Sequence, residues 1–362
     1  MNPIVEETLG PLPNVTRPVW IWVPADGDPL LLASFVDQGR FDHLQTETSL
    51  FVNRTQMATK LEEILSAGGK IAMEYSPGGA LPRASKVDAG TLEMVRGFGV
   101  EVVSSADLVQ FATQRWTPAQ LESHRQAALG LDRIVHDAFA HVREQLVSGL
   151  TEYELAEFIR TRFQEEALEA PEGPVVAVNQ HSSDPHFDPK PEDSVLIARG
   201  DWLLIDLWAR LPHADAMYAD ITWTGFIGEE PTPRHREVFD VVTGARDAAL
   251  AEIERAFHEA EILQGWQLDK VARDHIANAG YGDYFNHRLG HSLGREAHGN
   301  AVNLDGWETF DTRELIPGIA VTIEPGVYLP EFGVRSEIDV FISEAGPEVT
   351  TEVQREIVLV GG

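Results

Sequence analysis

The sequence predicts an α+β fold in which a smaller α/β domain precedes a larger domain made of a duplicated helix–helix–antiparallel-sheet unit. Two Thr-Pro pairs, at 117–118 and 232–233, each place an N-cap residue and a first-turn proline before a long amphipathic stretch. A shorter helical stretch follows each pair, with the similar sequences ELAEFIRTRF at 154–163 and QLDKVARDHI at 267–276. Strand-like segments follow both. Because the pattern recurs after a little over a hundred residues, we interpret it as an internal duplication.

The smaller domain is predicted to cover residues 1–115 and the larger one residues 116–362. Turn residues and short apolar runs in the first of these predict strands that alternate with helices. They comprise two strands around an Asp-Gly-Asp-Pro turn at 18–36, a helix at 55–67, strands at 70–75 and 99–103, and a last helix opened by Ser105. This segment contains no catalytic signature.

Recognisable N-terminal caps define the helices of the larger domain. We expect the first helix from Thr117 to about residue 148 and the second from Thr151 to about residue 168. Thr151 and Glu154 have the spacing of a capping box. The third helix is expected from Thr232 to about residue 260, and a fourth at 267–279.

The charge and composition of the chain exclude several classes of partner and site. The 362 residues include 28 Lys and Arg against 58 Asp and Glu, a formal net charge of −30. Such a surface repels phosphate backbones and anionic lipid, so we expect neither nucleic acid nor membrane as a partner. The absence of cysteine excludes disulfides, zinc–thiolate sites and thiol nucleophiles. Without a basic, apolar leader or a long apolar stretch, a cytoplasmic protein is expected.

Five ionisable residues lie in apolar or glycine-marked stretches where an isolated charge is costly. They are Asp206, Asp220, His291, Glu324 and Glu337. Carboxylate oxygens and one imidazole nitrogen are ligands that suit one or two divalent metal ions. If the five converge, the protein is a metal-dependent enzyme.

The segment at 200–226 predicts a β-hairpin that would pair the first two of these acids. Apolar β-formers flank a polar turn that contains His213. A turn symmetric about His213 sets Asp206 opposite Asp220, and side chains directly opposed in this way have Cβ atoms about 4.5–5.5 Å apart. Two like charges this close are destabilising unless one is protonated or a cation lies between them.

A second hairpin, at 320–342, repeats the arrangement. Pro325 restricts Glu324 to an extended conformation, and the following glycine favours a turn. If the hairpin is centred between residues 330 and 331, Glu324 lies opposite Glu337. The alternative is that some of these acids are exposed edge residues paired with, for example, Arg335. This alternative is reasonable for any one carboxylate and poor for all four together.

Histidines are concentrated in the segment FNHRLGHSLGREAHG at 285–299, which contains His287, His291 and His298. The HExxH pattern of zincins is absent, and three glycines argue against a regular helix. We expect at least one of these histidines to bind metal and the others to handle protons or substrate. His186, in a loop rich in turn formers, is either a binding group or simply exposed.

These segments resemble the pita-bread metallopeptidase family of creatinases, aminopeptidase P, prolidases and methionine aminopeptidases. IDLWARLPHADAMYADITWT is similar to the family's two-aspartate hairpin, HRLGHSLGREAH to its HGxGHxxGxxxH segment, and TIEPGVYL and VRSEID to its EPGxY and RxED segments. All four occur in family order within about residues 117–362. The resemblance implies a pita-bread fold for 116–362 and a creatinase-like α/β domain for 1–115.

The resemblance also implies roles for individual residues. Two divalent ions would be bound, with Mn2+ expected first and Co2+, Zn2+ or Fe2+ as alternatives. Asp206 and Asp220 would bind metal, with Asp220 bridging, while His291 and Glu324 would bind one ion and Glu337 both. Glu324, His298 and His287 would be catalytic, and the substrate would be contacted by His186, His287, His298 and Arg335.

The implied activity is hydrolysis of the bond between an N-terminal residue and proline, by an Xaa-Pro aminopeptidase or an Xaa-Pro dipeptidase. We expect a homodimer acting on peptides with proline at the second position. The alternatives are a methionine aminopeptidase-like peptidase or a non-catalytic binding module on the same fold; metal-free creatinase-like chemistry is disfavoured by the intact ligand set. The chain departs from the family pattern at four positions, none of which is a ligand. They are Trp208, Arg288, Gly299 and Ile338.

Overall fold

The computed structural model of this chain describes residues 3–10, 12–66 and 68–361. Backbone contacts separate a unit that ends at Thr113 from one that begins at Gln114. No helix in the described ranges has both the length and the apolar character that a membrane span requires.

Within its described residues, the first unit combines four α-helices with two small sheets. Its helices are α1 (Pro3–Leu9), α2 (Arg54–Leu65), α3 (Ala89–Gly97) and α4 (Ala106–Thr113), and its strands are β1 (Trp20–Trp22), β2 (Leu30–Ser34), β3 (Glu47–Phe51), β4 (Lys70–Met73) and β5 (Glu101–Ser104). β1 pairs with β2 in antiparallel fashion across the expected turn. β3, which the sequence pattern did not predict, adds a parallel strand to β2. β4 and β5 form a separate parallel pair.

The second unit contains four α-helices, and the three whose caps were predicted begin at those caps, while the fourth begins two residues before its expected start. They are α5 (Pro118–Gln145), α6 (Glu152–Glu165), α7 (Pro233–Glu259) and α8 (Gly265–Asn278). The side chains of Thr117, Thr151 and Thr232 each accept a hydrogen bond from a backbone N–H of the first turn. The capping box between Thr151 and Glu154 is also present, so the predicted starts are confirmed.

Two four-stranded sheets and a short ribbon complete this unit. The strands are β6 (Val175–Val178), β7 (Trp202–Ala209), β8 (Ala219–Phe226), β9 (Ser292–Leu293), β10 (Ala320–Ile323), β11 (Gly326–Tyr328), β12 (Gly333–Arg335), β13 (Ile338–Ser343), β14 (Gly346–Val349) and β15 (Val358–Leu359). The sheets have the orders β15-β8-β7-β6 and β14-β13-β10-β9. Each half therefore supplies two helices and the greater part of one sheet, as the predicted duplication requires.

Each helix pair packs on one face of its own sheet. Along β7, Ile205, Leu207 and Ala209 belong to the core formed with α5 and α6. Because side chains alternate between the two faces of a strand, Asp206 and Trp208 lie on the opposite face. A second core, which includes Val242, forms against α7 and α8. In the first half, Asp206 therefore lies on the sheet face turned away from the helices, beside an apolar cluster that includes Leu204 and Trp208.

The register of the first hairpin differs from the prediction. Asp206 lies opposite Thr222 and Asp220 lies opposite Trp208, so the two aspartates are diagonal neighbours and the predicted direct opposition is wrong. The pairs are centred on residue 214 rather than on His213, and contacts to other segments hold the arm before β8. Met217 N donates to Ser123 Oγ, and Tyr218 N donates to the carbonyl oxygen of residue 294.

The register of the second hairpin is as predicted. Ile323 pairs with Ile338 in the ladder of β10 and β13, and Gly326 pairs with Arg335 in that of β11 and β12. Both ladders share one register, and its continuation between them sets Glu324 opposite Glu337. The longer connection does not shift the pairing because a strand pair on each side of the two glutamates holds it.

Candidate metal centre

The five candidate ligands converge, although they come from both halves of the second unit. Asp206 and Asp220 lie within β7 and β8, whereas His291, Glu324 and Glu337 immediately precede or follow β9, β10 and β13. The backbone N–H of Glu337 donates to the carbonyl oxygen of residue 222 on β8, at 3.3 Å. This contact joins the first hairpin to the second.

Three of the five form a tight group. Asp220, His291 and Glu337 each offer one ligand atom, and these atoms lie within 4.8 Å of one another. His291 Nε2 is 3.7 Å from Asp220 Oδ2 and 3.4 Å from Glu324 Oε1. Among the described residues, the buried Asp220 Oδ1 has no hydrogen-bond partner. A buried carboxylate oxygen without a donor, within a group of ligand-type atoms, fits a cation.

The imidazole of His291 is oriented for coordination. Its Nδ1 lies 3.1 Å from the carbonyl oxygen of Ser292, so the proton belongs on Nδ1 and the lone pair of Nε2 faces Asp220 and Glu324. Burial, followed by the neighbouring His298, lowers the pKa of His291 well below its usual value. The ring is therefore neutral near pH 7, as a metal ligand must be.

The carboxyl groups of the cluster hold their protons unusually strongly. Burial raises the pKa of Asp220 well above its ordinary value, and the charge of Glu337 adds to the effect. Burial likewise raises the pKa of Glu337 well above its ordinary value, with Glu324 adding to it. For Glu324, burial raises the pKa to about 7 against the opposing charges of Arg335 and Arg288. A divalent cation at this position would favour the ionised forms.

Asp206 lies beside the three-residue group and is bound to Arg335. Its Oδ2 accepts a charge-assisted hydrogen bond from Arg335 Nη2, and burial raises its pKa against the effect of that arginine. Arg335 also donates to Thr222 Oγ1 at 3.0 Å and to the Tyr328 hydroxyl at 3.1 Å. Because Arg335 is only 3% exposed, the predicted contact with substrate stays a prediction.

Two threonines that the sequence analysis did not single out orient the ligands. Thr222 is fully buried and donates to Glu337 Oε2 at 2.7 Å. Thr322 Oγ1 accepts the backbone N–H of His291 at 3.0 Å and donates to Glu324 Oε1 at 3.2 Å. Their signal in the sequence is alternation, since each lies two residues from a candidate acid and therefore on the same face of its strand.

Asp339 is a buried acid that the sequence analysis did not single out. It is fully buried, and its Oδ2 accepts the backbone N–H of Asp220 at 2.9 Å. His124 Nε2 lies 3.9 Å from the same oxygen. Burial raises the pKa of Asp339 well above its ordinary value. The side chain of Asp339 therefore fixes the backbone of the strand at Asp220. Asp339 lies two residues after Glu337, and this spacing in the sequence could have identified it as an acid on the same face of the strand.

His287 lies beside the cluster in its neutral form. Its Nε2 is 2.8 Å from the Tyr328 hydroxyl, and its Nδ1 is 2.7 Å from the carbonyl oxygen of Arg288. Desolvation, followed by the charge of Arg335, lowers the pKa of His287 to about 3. The hydroxyl of Tyr328 connects His287 to Arg335. The sequence analysis singled out the segment TIEPGVYL, which contains Tyr328, but not this residue.

The other two histidines are exposed and near the cluster. The ring of His298 lies edge-on to His291, with the centroids 4.3 Å apart. His186 is exposed in the loop before β7, and its backbone N–H donates to Asp184 Oδ1 at 3.0 Å. The charge of His186 lowers the pKa of Asp206, which indicates that the loop approaches the site. The roles of both histidines stay predictions.

Comparison with known proteins matches the part of the chain that contains the five candidate ligands. Residues 123–344 match metallopeptidase family M24. An uncharacterized peptidase of Bacillus subtilis, YqhT, is 31% identical over 71% of this chain and 69% of its own length. An Xaa-Pro dipeptidase of Pyrococcus furiosus is 27% identical over 93% of this chain and 88% of its own. The crystal structure of an X-Pro aminopeptidase from Thermotoga maritima is similar, with a TM-score of 0.59, 26% identity, and coverage of 92% and 88%.

Proposed function

Because the chain belongs to metallopeptidase family M24 and has the pita-bread fold, we propose that it hydrolyses the bond between an N-terminal residue and proline. The observation that carries the proposal is the convergence of Asp220, His291 and Glu337 within 4.8 Å. The choice of substrate is supported by the relatives, one named an Xaa-Pro dipeptidase and one an X-Pro aminopeptidase. We further propose a cytoplasmic homodimer.

The donor set is suited to two divalent ions held by the five candidate ligands. Four carboxylates and one imidazole favour Mn2+, with Co2+, Zn2+ and Fe2+ as alternatives. When bound, such ions lower the pKa of a coordinated water and polarise a peptide carbonyl. The ligands are Asp206, Asp220, His291, Glu324 and Glu337.

Glu324 is the group proposed to move the proton. Its carboxylate lies within the ligand group, 3.4 Å from His291 Nε2, where it can accept a proton from a nearby water and release it again. The nitrogen of proline is tertiary in the substrate, so it must gain a proton before it can leave. Glu324 would take the proton from the attacking water and deliver it to that nitrogen.

The histidines are proposed to bind the rest of the substrate. His298, at the exposed edge of His291, would donate a hydrogen bond to the carbonyl oxygen as negative charge develops on it. His287, neutral and fixed by Tyr328, would border the pocket, together with His186 of the preceding loop. These groups position the scissile bond over the carboxylates.

A Glu324→Gln variant tests the mechanism. Because positioned acid–base groups contribute about 10²–10⁴-fold to rate, we expect kcat for proline release to fall by at least about 100-fold. The assay compares Xaa-Pro dipeptides with longer Xaa-Pro peptides, with and without added Mn2+. Metal analysis of the same samples shows whether the loss reflects proton transfer or metal binding.

The matched control is Glu331→Gln, an identical exchange at an exposed position of the same hairpin, which should leave kcat unchanged. Near-normal activity of Glu324→Gln would contradict the scheme. Preferential release of N-terminal methionine from peptides without proline would favour the methionine aminopeptidase-like alternative. A chain that binds no metal and cleaves no Xaa-Pro peptide would favour the binding-module alternative.

A further inference from the structure

The start of β8, where Asp220 lies, is held by partners outside its own hairpin. The last pair of its ladder with β7 is at Ala219. The backbone N–H of Tyr218 donates to the carbonyl oxygen of residue 294 at 2.9 Å, and that of Asp220 donates to Asp339 Oδ2 at 2.9 Å. Contacts with distant segments therefore help to fix the position of this candidate ligand.

His124 adds a further contact to this segment from helix α5. It is fully buried, and its Nδ1 lies 2.7 Å from the carbonyl oxygen of Tyr218. Because a carbonyl oxygen only accepts hydrogen bonds, the ring proton belongs on Nδ1. The preceding residue, Ser123, accepts the backbone N–H of Met217 at 3.1 Å. Two successive residues of α5 thus bind the two successive residues that lead into β8.

The other ring nitrogen of His124 binds a segment of the second half. Nε2 lies 2.6 Å from the hydroxyl of Thr350, which is nearer to it than to the carbonyl oxygen of Asp339, at 3.3 Å. The backbone N–H of Thr350 donates to that carbonyl at 2.9 Å, and the backbone N–H of Asp339 donates to Thr351 Oγ1 at 3.0 Å. Residues 350 and 351 therefore hold the aspartate whose side chain accepts the N–H of Asp220.

His124 acts through directed hydrogen bonds rather than through charge. Burial lowers its pKa to about 4, so the ring is neutral near pH 7. Its Nε2 is 3.9 Å from Asp339 Oδ2, which exceeds hydrogen-bond distance. A neutral imidazole offers one donor and one acceptor in fixed relative positions, and both are used here. The ring also packs against that of Trp116, with the centroids 5.1 Å apart.

We propose that His124 is a positioning residue of the candidate metal centre, which fixes Asp220 relative to Glu337. It does so by binding Tyr218, next to the first ligand, and Thr350, which holds the strand that follows the second. The inference rests on the proposed function, because that function requires these two carboxylates as ligands. Both belong to the three-residue group whose ligand atoms lie within 4.8 Å of one another. Such a group binds metal tightly only while its spacing is maintained by the residues around it.

Calorimetry of Mn2+ binding in the absence of substrate tests the inference. In His124→Gln the longer amide can replace only Nε2, so the bond to Tyr218 is lost. We expect this variant to bind Mn2+ about 10–100-fold more weakly than the wild type, the usual cost of losing a partner that orients metal ligands. In His124→Asn the amide nitrogen can replace Nδ1, and the affinity should be intermediate. Wild-type affinity in His124→Gln, or an equal loss in both variants, would overturn the proposal.

Thr350→Val is a milder second variant, because valine keeps the shape of threonine and removes only the hydroxyl that binds Nε2. Its Mn2+ affinity should match that of His124→Asn, since both keep the bond to Tyr218; an affinity equal to that of the wild type would contradict the role of Thr350. His258→Asn, the same exchange at an exposed position of α7, is the matched control and should bind Mn2+ like the wild type. Thermal unfolding of the metal-free variants measures packing separately. A lower Tm with unchanged Mn2+ affinity would assign His124 to packing alone and overturn the proposal.

Hydrolysis separates this inference from the proposed function. His124→Gln should need about 10–100-fold more Mn2+ than the wild type for half-maximal cleavage of an Xaa-Pro peptide. If the wild type bound Mn2+ but cleaved no such peptide, and His124→Gln bound Mn2+ more weakly, the proposed function would fail while the positioning role stood. If the wild type cleaved the peptide and His124→Gln showed the same Mn2+ affinity and requirement, the inference would fail and the function would stand. A wild type that bound no Mn2+ would overturn both.

Discussion

Individual carboxyl groups of the centre make the metal-free protein sensitive to alkaline pH. Burial raises the pKa of Glu324 from 4.5 to about 7, and those of Asp220 and Glu337 well above their ordinary values. The folded chain therefore binds more protons than the unfolded chain over this range. The resulting stability is complete below the unfolded pKa values and is lost as pH rises through the folded ones.

Buried histidines act with the opposite sign but in a lower pH range. Burial lowers the pKa of His124 to about 4 and that of His287 to about 3, from 6.5. Their neutral forms are favoured by folding, so they cost stability only as pH falls below about 6.5. Above neutral pH they no longer titrate in either state, and the carboxyl groups alone decide the slope.

We therefore predict that the melting temperature of chelator-treated protein falls between about pH 7 and pH 9. Divalent metal should raise the melting temperature more at the higher pH, because binding displaces protons from the carboxyl groups. Differential scanning calorimetry across this range, with and without Mn2+, provides the measurement. A metal-free melting temperature that rose with pH over this window would contradict the assigned proton binding.

The strand-like segment that carries His291 depends on its close approach to β10. A Cβ atom at Gly290 would lie 2.1 Å from the carbonyl oxygen of Thr322, and Thr322 also fixes His291 and Glu324. Backbone atoms cannot yield as a flexible side chain can. The glycine is thus required by packing rather than by its dihedral angles.

A Gly290→Ala variant should lose about 1–3 kcal/mol of unfolding free energy, the usual cost of overpacking, together with much of its metal content. Urea unfolding and metal analysis measure the two effects. Gly294→Ala is the matched control in the same segment, since the nearest atoms to its Cβ lie at 3.6 and 3.8 Å. Equal behaviour of the two variants would show that the close approach is not what positions His291.

Across the whole second unit, a bound metal would connect the two duplicated halves. Asp220 comes from the first half, and His291 and Glu337 come from the second. A ligand that binds only the folded state stabilises it by about 2.7 kcal/mol at one hundred times its Kd. The halves already share contacts, such as the hydrogen bond from Thr222 to Glu337, so metal adds to an interface that exists without it.

His291→Ala should abolish most of the stabilisation that Mn2+ gives to the wild type, because it removes the nitrogen ligand of the group. Thermal unfolding with increasing Mn2+ measures this effect, and metal analysis gives the number of ions per chain. His258→Ala, at an exposed position near the end of α7, controls for the loss of a histidine. An undiminished response in His291→Ala would exclude this residue as a ligand.

Features set by local chemistry could be predicted from the sequence. Helix starts followed from Thr-Pro pairs, because a hydroxyl cap and a first-turn proline act within a few residues. The second hairpin's register followed from centring its turn between residues 330 and 331, and the observed pairs on both sides of the glutamates agree with it. The convergence of five costly charges was predictable because an isolated buried charge requires a partner.

Features set by contacts between distant segments required the folded structure. The register of the first hairpin is centred one residue beyond the predicted centre, and residues 217 and 218 next to its second strand bond to residues 123 and 294. Asp206 accepts a hydrogen bond from Arg335, and the backbone N–H of Asp220 donates to Asp339. Both pairs are more than one hundred residues apart in the sequence. Periodicity and caps carry no information about such pairings, because folding alone brings these side chains together.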